Sequence, residues 1–165
     1  MPMLPKQSRA VVRRSAVRSG CHAAVVLLAL LAAGCSTFQK PDPNAHLATF
    51  TTRLAGSNEV PPVSSMATGT VDAVLDRNTL LFRWKMDYTN LSGPATVAHF
   101  HGPAAIGANA APALTMAPPL AESYSGSATL TAAQAADLLA GRWYFNVHTA
   151  ANPGGEIRGQ VIAQM

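Results

Sequence analysis

From Thr79 to Tyr88 apolar and polar side chains alternate without a slip. Leu80, Phe82, Trp84, Met86 and Tyr88 fall on one face, and Leu81, Arg83, Lys85 and Asp87 on the other. A period of two with one apolar face predicts a β-strand half buried on a core. Thr70–Leu75 precedes it, and Asp76-Arg77-Asn78 lies between, so the two segments predict a hairpin. His46–Leu54 alternates less cleanly, with Leu47, Thr49, Thr51 and Arg53 against Phe50 and Leu54. It is closed by Gly56-Ser57-Asn58 and Pro61-Pro62. Ala95–His101, Tyr124–Leu130, Arg142–His148 and Glu156–Ala163 complete the main strand set. Gly102–Pro119, rich in Ala, Gly and Pro, reads as a long connection with room for a short strand near Ala113–Met116. Thr131 and Gln134 stand at capping-box spacing, which predicts one short helix over 132–140, with Leu138 and Leu139 on the core and Gly141 ending it. Short strands separated by frequent turns predict an all-β fold, an antiparallel β-sandwich carrying that single helix.

The N-terminus has a different pattern. Lys6, Arg9, Arg13, Arg14 and Arg18 precede an apolar run, Ala23–Ala33, of about eleven residues, the length of a signal h-region and too short to span a bilayer. Leu30-Leu31-Ala32-Ala33-Gly34-Cys35 then resembles the lipobox of bacterial lipoproteins. In that class cleavage falls before the cysteine, which carries the lipid, palmitate among its acyl chains. The expected organisation is a signal peptide at 1–34, a tether at 35–45 containing Pro41 and Pro43, and a folded domain at 46–165. Ser36 after the lipidated Cys35 favours the outer membrane in a diderm host.

Removing the signal changes the charge. The formal +4 of the chain falls to −1, because 5 of its 12 basic residues leave and all 8 acidic ones stay. The basic balance therefore carries no expectation of nucleic-acid binding. Cys21 leaves too, and Cys35 would be thioether-linked to lipid, so no thiol is left for a disulfide.

Of the four histidines after residue 34, His99, His101 and His148 lie in two strand-like segments. His99 and His101, two apart on a strand, share a face. If His148 runs beside them, three imidazoles form a metal site suited to copper or zinc. Asn146, Glu156 and Arg158 are the expected supporting residues. Glu156 would partner an imidazole and Arg158 would guide an anion, against the alternative of Glu59–Arg158 or Glu156–Arg158 ion pairs that only hold strands together. Met66, Met86 and Met116 read as core filler before copper ligands, and Trp84 and Trp143 as core anchors. No nucleophile elbow, phosphate loop or paired-carboxylate motif is present.

Five segments in order resemble the CHRD domain, first named from chordin and found also in bacterial secreted proteins. They are Leu54–Pro62 (LAGSNEVPP), Ala67–Thr70 (ATGT), Ala98–Pro103 (AHFHGP), Leu139–Thr149 (LAGRWYFNVHT) and Pro153–Gln160 (PGGEIRGQ). The resemblance implies an extracytoplasmic β-rich module and little about activity. The cysteine-rich modules of chordin are missing, so growth-factor binding is not implied. A weaker likeness is to copper–zinc superoxide dismutase, a sandwich with a His-x-His strand, but the zinc loop and disulfide pair have no counterpart. The sandwich is accordingly expected to be immunoglobulin-like or dismutase-like. The resulting expectation is a lipid-anchored envelope module that binds copper, zinc or an envelope protein without turnover. The alternatives are a copper-dependent dismutase-like enzyme and a purely structural or adhesive surface domain.

Overall fold

The computed structural model describes Lys40 and residues 42–164. The expected signal peptide at 1–34 and the expected lipidation site Cys35 lie outside the described residues. Among the described residues eight strands and one α-helix occur in chain order: β1 (Leu47–Ala55), β2 (Thr68–Asp76), β3 (Leu81–Thr89), β4 (Ala95–His101), β5 (Pro112–Met116), β6 (Ser123–Thr129), α1 (Ala132–Leu139), β7 (Trp143–Thr149) and β8 (Ile157–Ala163), with a 3-10 turn at Gly56–Asn58.

All eight strands belong to one sheet, ordered β5-β4-β7-β8-β1-β2-β3-β6, with every neighbouring pair antiparallel. The sheet curls on itself. β4 and β3 stand far apart in that order, yet the Phe82 and Phe100 ring centroids are 5.1 Å apart, and Trp84 and Phe100 5.3 Å. The curl brings the apolar faces of distant strands together around Phe50, Leu54, Phe82, Met86, Phe100, Trp143 and Phe145. An all-β curled sheet with one short helix fits the expected sandwich class. Its two layers are the halves of one continuous sheet.

Local chemistry explains the β2–β3 turn and the start of α1. The β2–β3 hairpin turns at Asp76, whose Oδ1 accepts from the backbone N–H of Asn78 (2.8 Å) and Thr79 (3.1 Å). Thr131 caps α1 in a complete capping box, its hydroxyl accepting from Gln134 N and the Gln134 side chain accepting from Thr131 N. Two expectations are corrected. Leu138 is buried, but Leu139 is 38 % exposed, because consecutive helical residues point about 100° apart and one narrow stripe faces the sheet. Met66 is exposed in the β1–β2 connection, whereas Met86 and Met116 sit in the core.

β7 is covered on both faces, and every one of its seven residues is buried. Trp143, Phe145 and Val147 enter the apolar core. Tyr144, Asn146 and His148 point the other way, where solvent would normally be. The Gly102–Ala111 and Ala151–Gly155 loops reach this face, through Ala110 and Pro153, together with Glu59 from the β1–β2 connection. They roof a second, polar core.

Candidate metal centre

The register of β4 on β7 sets the site. His99 lies opposite Asn146, His101 opposite Tyr144, and Val97 opposite His148, so the three histidines share the roofed face. One ring nitrogen from each of His99, His101 and His148 lies within 4.8 Å of the others. His99 Nδ1 and His148 Nε2 are 3.0 Å apart. The sequence placed His99 and His101 together by periodicity; the β4–β7 pairing brings His148 to them.

The protons on the two buried rings are set by their partners. His101 Nδ1 is 2.9 Å from the carbonyl oxygen of Ala110, and His148 Nδ1 is 2.9 Å from that of Pro153. A carbonyl can only accept, so in the neutral ring each Nδ1 carries the proton and each Nε2 is a bare lone pair. Both Nε2 atoms face inward. His99 is half-buried and has no backbone anchor of this kind among the described residues; its Nδ1–H can donate to His148 Nε2.

Electrostatics keep the rings neutral. Burial, then the neighbouring His148 and His101, push the His99 pKa down to about 4. Burial also lowers His101 and His148, against the carbonyl bonds that favour their charged forms. A neutral imidazole is the form that ligates metal.

The surroundings are ordered in layers. The His101 ring stacks on Tyr144, with centroids 4.6 Å apart and planes 4° apart. On the Tyr144 ring lies the Arg158 guanidinium, 3.4 Å from the centroid. Arg158 donates to Asn109 Oδ1 (2.7 Å) and Ala108 O (2.6 Å), so it pins the roof loop rather than opening toward an anion. Neither expected Arg158 ion pair forms within 4 Å among the described residues.

Asn146 is in direct contact with the imidazoles. Its Oδ1 is 3.0 Å from His101 Nε2 and 2.9 Å from His148 Nε2. Glu156 differs from its expectation, because the turn after β7 carries it away from the rings. It is fully buried, and its oxygens accept from the hydroxyls of Ser65 (2.7 Å), Ser92 (2.5 Å) and Thr149 (2.6 Å) and from the Ser92 N–H (2.9 Å). Burial works to raise its pKa, but these four donors prevail and hold it at about 2. Glu156 thus clasps three connections at one end of the sheet.

Glu59 carries a role that its place in the sequence did not suggest. It is buried, and its Oε1 has no hydrogen-bond partner among the described residues. Burial raises its pKa to about 7, with the Arg158 charge and the Asn146 amide opposing. The Glu59-Val60-Pro61-Pro62 segment was legible as a rigid turn; that its carboxylate reaches Asn146 was not.

The family model of the CHRD domain matches residues 50–161, a span that includes all three histidines, Asn146 and Glu59. No curated protein and no solved structure gives a significant match.

Proposed function

The chain belongs to the CHRD domain family, and from that premise we propose that it is a lipid-anchored cell-envelope module that binds one copper or zinc ion through His99, His101 and His148, without turnover. The observation that carries the reading is the lone-pair arrangement. Ala110 and Pro153 fix the protons of His101 and His148 on Nδ1, so both Nε2 atoms turn bare lone pairs inward, within reach of His99 Nδ1. Backbone carbonyls holding the outer nitrogens are the usual support of metal-ligating imidazoles. The anchor is Cys35 in its lipobox context, with Ser36 favouring the outer membrane of a diderm host.

A structural reading has its own support. The His101 stack on Tyr144 and the carbonyl bonds of both buried rings would also staple the roof loops with no ion. The two readings separate on metal content. The full chain, purified without a histidine tag and titrated with Zn(II) and Cu(II), should take up one ion per chain. The His99→Ala, His101→Ala double variant should take up none and keep its β-sheet circular dichroism. A wild-type chain that binds neither ion leaves the staple reading. Superoxide turnover by the copper-loaded chain would extend the proposal from binding to redox catalysis.

A further inference from the structure

We propose that Asn146 Oδ1 is the fourth donor of this site, making an N3O set, and that Glu59 is the positioning residue that aims it. The inference rests on the metal-binding reading of the histidines and goes beyond it in naming the coordination and the metal it selects.

An Asn side chain has an accepting end and a donating end, and its neighbours decide which way it points. Glu59 Oε1 and Asn146 Nδ2 crowd the same space above Gly155, where an added Cβ would strike both. The structure places the amide NH2 on the Glu59 side, where the ionised carboxylate can accept from it. Glu59 faces the Asn146 amide and the Arg158 charge. Its Oε1 is buried without a hydrogen-bond partner among the described residues, and Arg158 directs NH1 and NH2 to Asn109 and Ala108.

With the amide oriented that way, Oδ1 faces His101 Nε2 at 3.0 Å and His148 Nε2 at 2.9 Å. Neither nitrogen carries a proton, because Ala110 and Pro153 hold it on the far side of each ring. Three lone-pair atoms therefore meet, and the only proton the neutral side chains can supply is that of His99 Nδ1, which reaches His148. Protonating either Nε2 while keeping its ring neutral would turn a bare Nδ1 onto a carbonyl and exchange one mismatch for another. A cation satisfies all of them at once. Donors bound at about 2.0–2.2 Å to one ion stand roughly 3–3.5 Å apart; the His99–His148 and the two Asn146–imidazole distances, 2.9–3.0 Å, are close to this, and the three histidine nitrogens lie within 4.8 Å of one another.

Three imidazoles and an amide oxygen contain no thiolate or thioether, and Met86 and Met116 are buried in the apolar core. Such a set favours a divalent ion over Cu(I). Four protein donors also fill a tetrahedral ion, which is the closed form of structural and storage sites, so Zn(II) fits best.

The test uses the full chain in detergent with Zn(II) as probe. Asn146→Leu should weaken Zn(II) binding by about 10–100-fold. Asn146→Asp combined with Glu59→Gln, which keeps an oxygen donor without setting two carboxylates together, should restore affinity to within about tenfold of wild type. In the wild-type chain Zn(II) should shift the Asn146 side-chain carbonyl carbon resonance, as direct coordination by Oδ1 requires. If Asn146→Leu binds as tightly as wild type while the double histidine variant binds nothing, the fourth-donor proposal falls and the histidine site stands. If wild type itself takes no Zn(II) or Cu(II), the site reading falls first. If Asn146→Leu does not fold, the carbonyl resonance decides, and its failure to move on Zn(II) loading overturns the proposal.

Discussion

Glu156 shows how one buried side chain links stability to pH. Its carboxyl titrates near 2 in the folded chain and near the ordinary 4.5 when unfolded. The unfolded chain therefore binds more protons between those values, and the stabilisation is complete above about 4.5 and lost as pH falls toward 2. Glu156→Gln should cost about 2–3 kcal/mol in urea unfolding at pH 7, since its NH2 would face donors; the gap should narrow toward pH 2. His99 acts in a higher window. Its pKa drops from 6.5 to about 4 on folding, so stability is lost as pH falls between these values. Glu59 has the opposite sign. Raised from 4.5 to about 7, it stabilises fully below 4.5 and loses that contribution as pH rises through 7. Melting of the metal-free protein across this range should show Glu59→Gln removing a loss on the alkaline side and His99→Gln a loss on the acid side. If neither profile changes from wild type, the assigned environments are wrong.

Among the elements, α1 gives the sharpest contrast. Leu138 is fully buried and Leu139 is 38 % exposed. Leu138→Ala should cost about 2–5 kcal/mol through lost burial and the cavity left behind. Leu139→Ala should stay within about 0.5 kcal/mol. Thr131→Ala removes the cap and should cost about 1 kcal/mol. Equal effects at the two leucines in denaturant titration would mean the helix docks by a different face. Gly159 on β8 is a second element-scale constraint. A side chain there would strike the Arg53 backbone and Thr52 on β1, so Gly159→Ala should loosen the β1–β8 pairing that joins the two halves of the curled sheet.

For the whole molecule, the polar core under the roof loops should make metal binding a stabilising event. A ligand at 100 times its Kd contributes about 2.7 kcal/mol, which for a domain of about 120 residues corresponds to a Tm rise of about 10 °C. Zn(II) should produce that rise in wild type and none in His99→Ala, His101→Ala. A reductant should leave the Tm unchanged, because Cys35 is the one cysteine after residue 34, the end of the expected signal peptide. Cys35→Ala should abolish lipoprotein processing; a processed, membrane-bound variant would overturn the lipobox assignment.

The sequence by itself determined what depends on near neighbours. The alternation at Phe82-Trp84-Met86-Tyr88, the Asp76 turn, the Thr131–Gln134 cap and the shared face of His99 and His101 are effects within a few residues, and each is present. Two adjacent leucines in α1 exceeded that reach, because which one meets the sheet depends on how the helix docks. The tertiary structure alone decided the sheet order, the curl that seats Phe82 on Phe100, and the double burial of β7. It also decided the roles of the polar residues. Asn146 meets the imidazoles because β7 pairs with β4, while Glu156 meets Ser65, Ser92 and Thr149 because loops separated by up to 91 positions converge on it. A polar side chain takes its partners from whatever the fold brings within about 3 Å, and periodicity carries no information at that range.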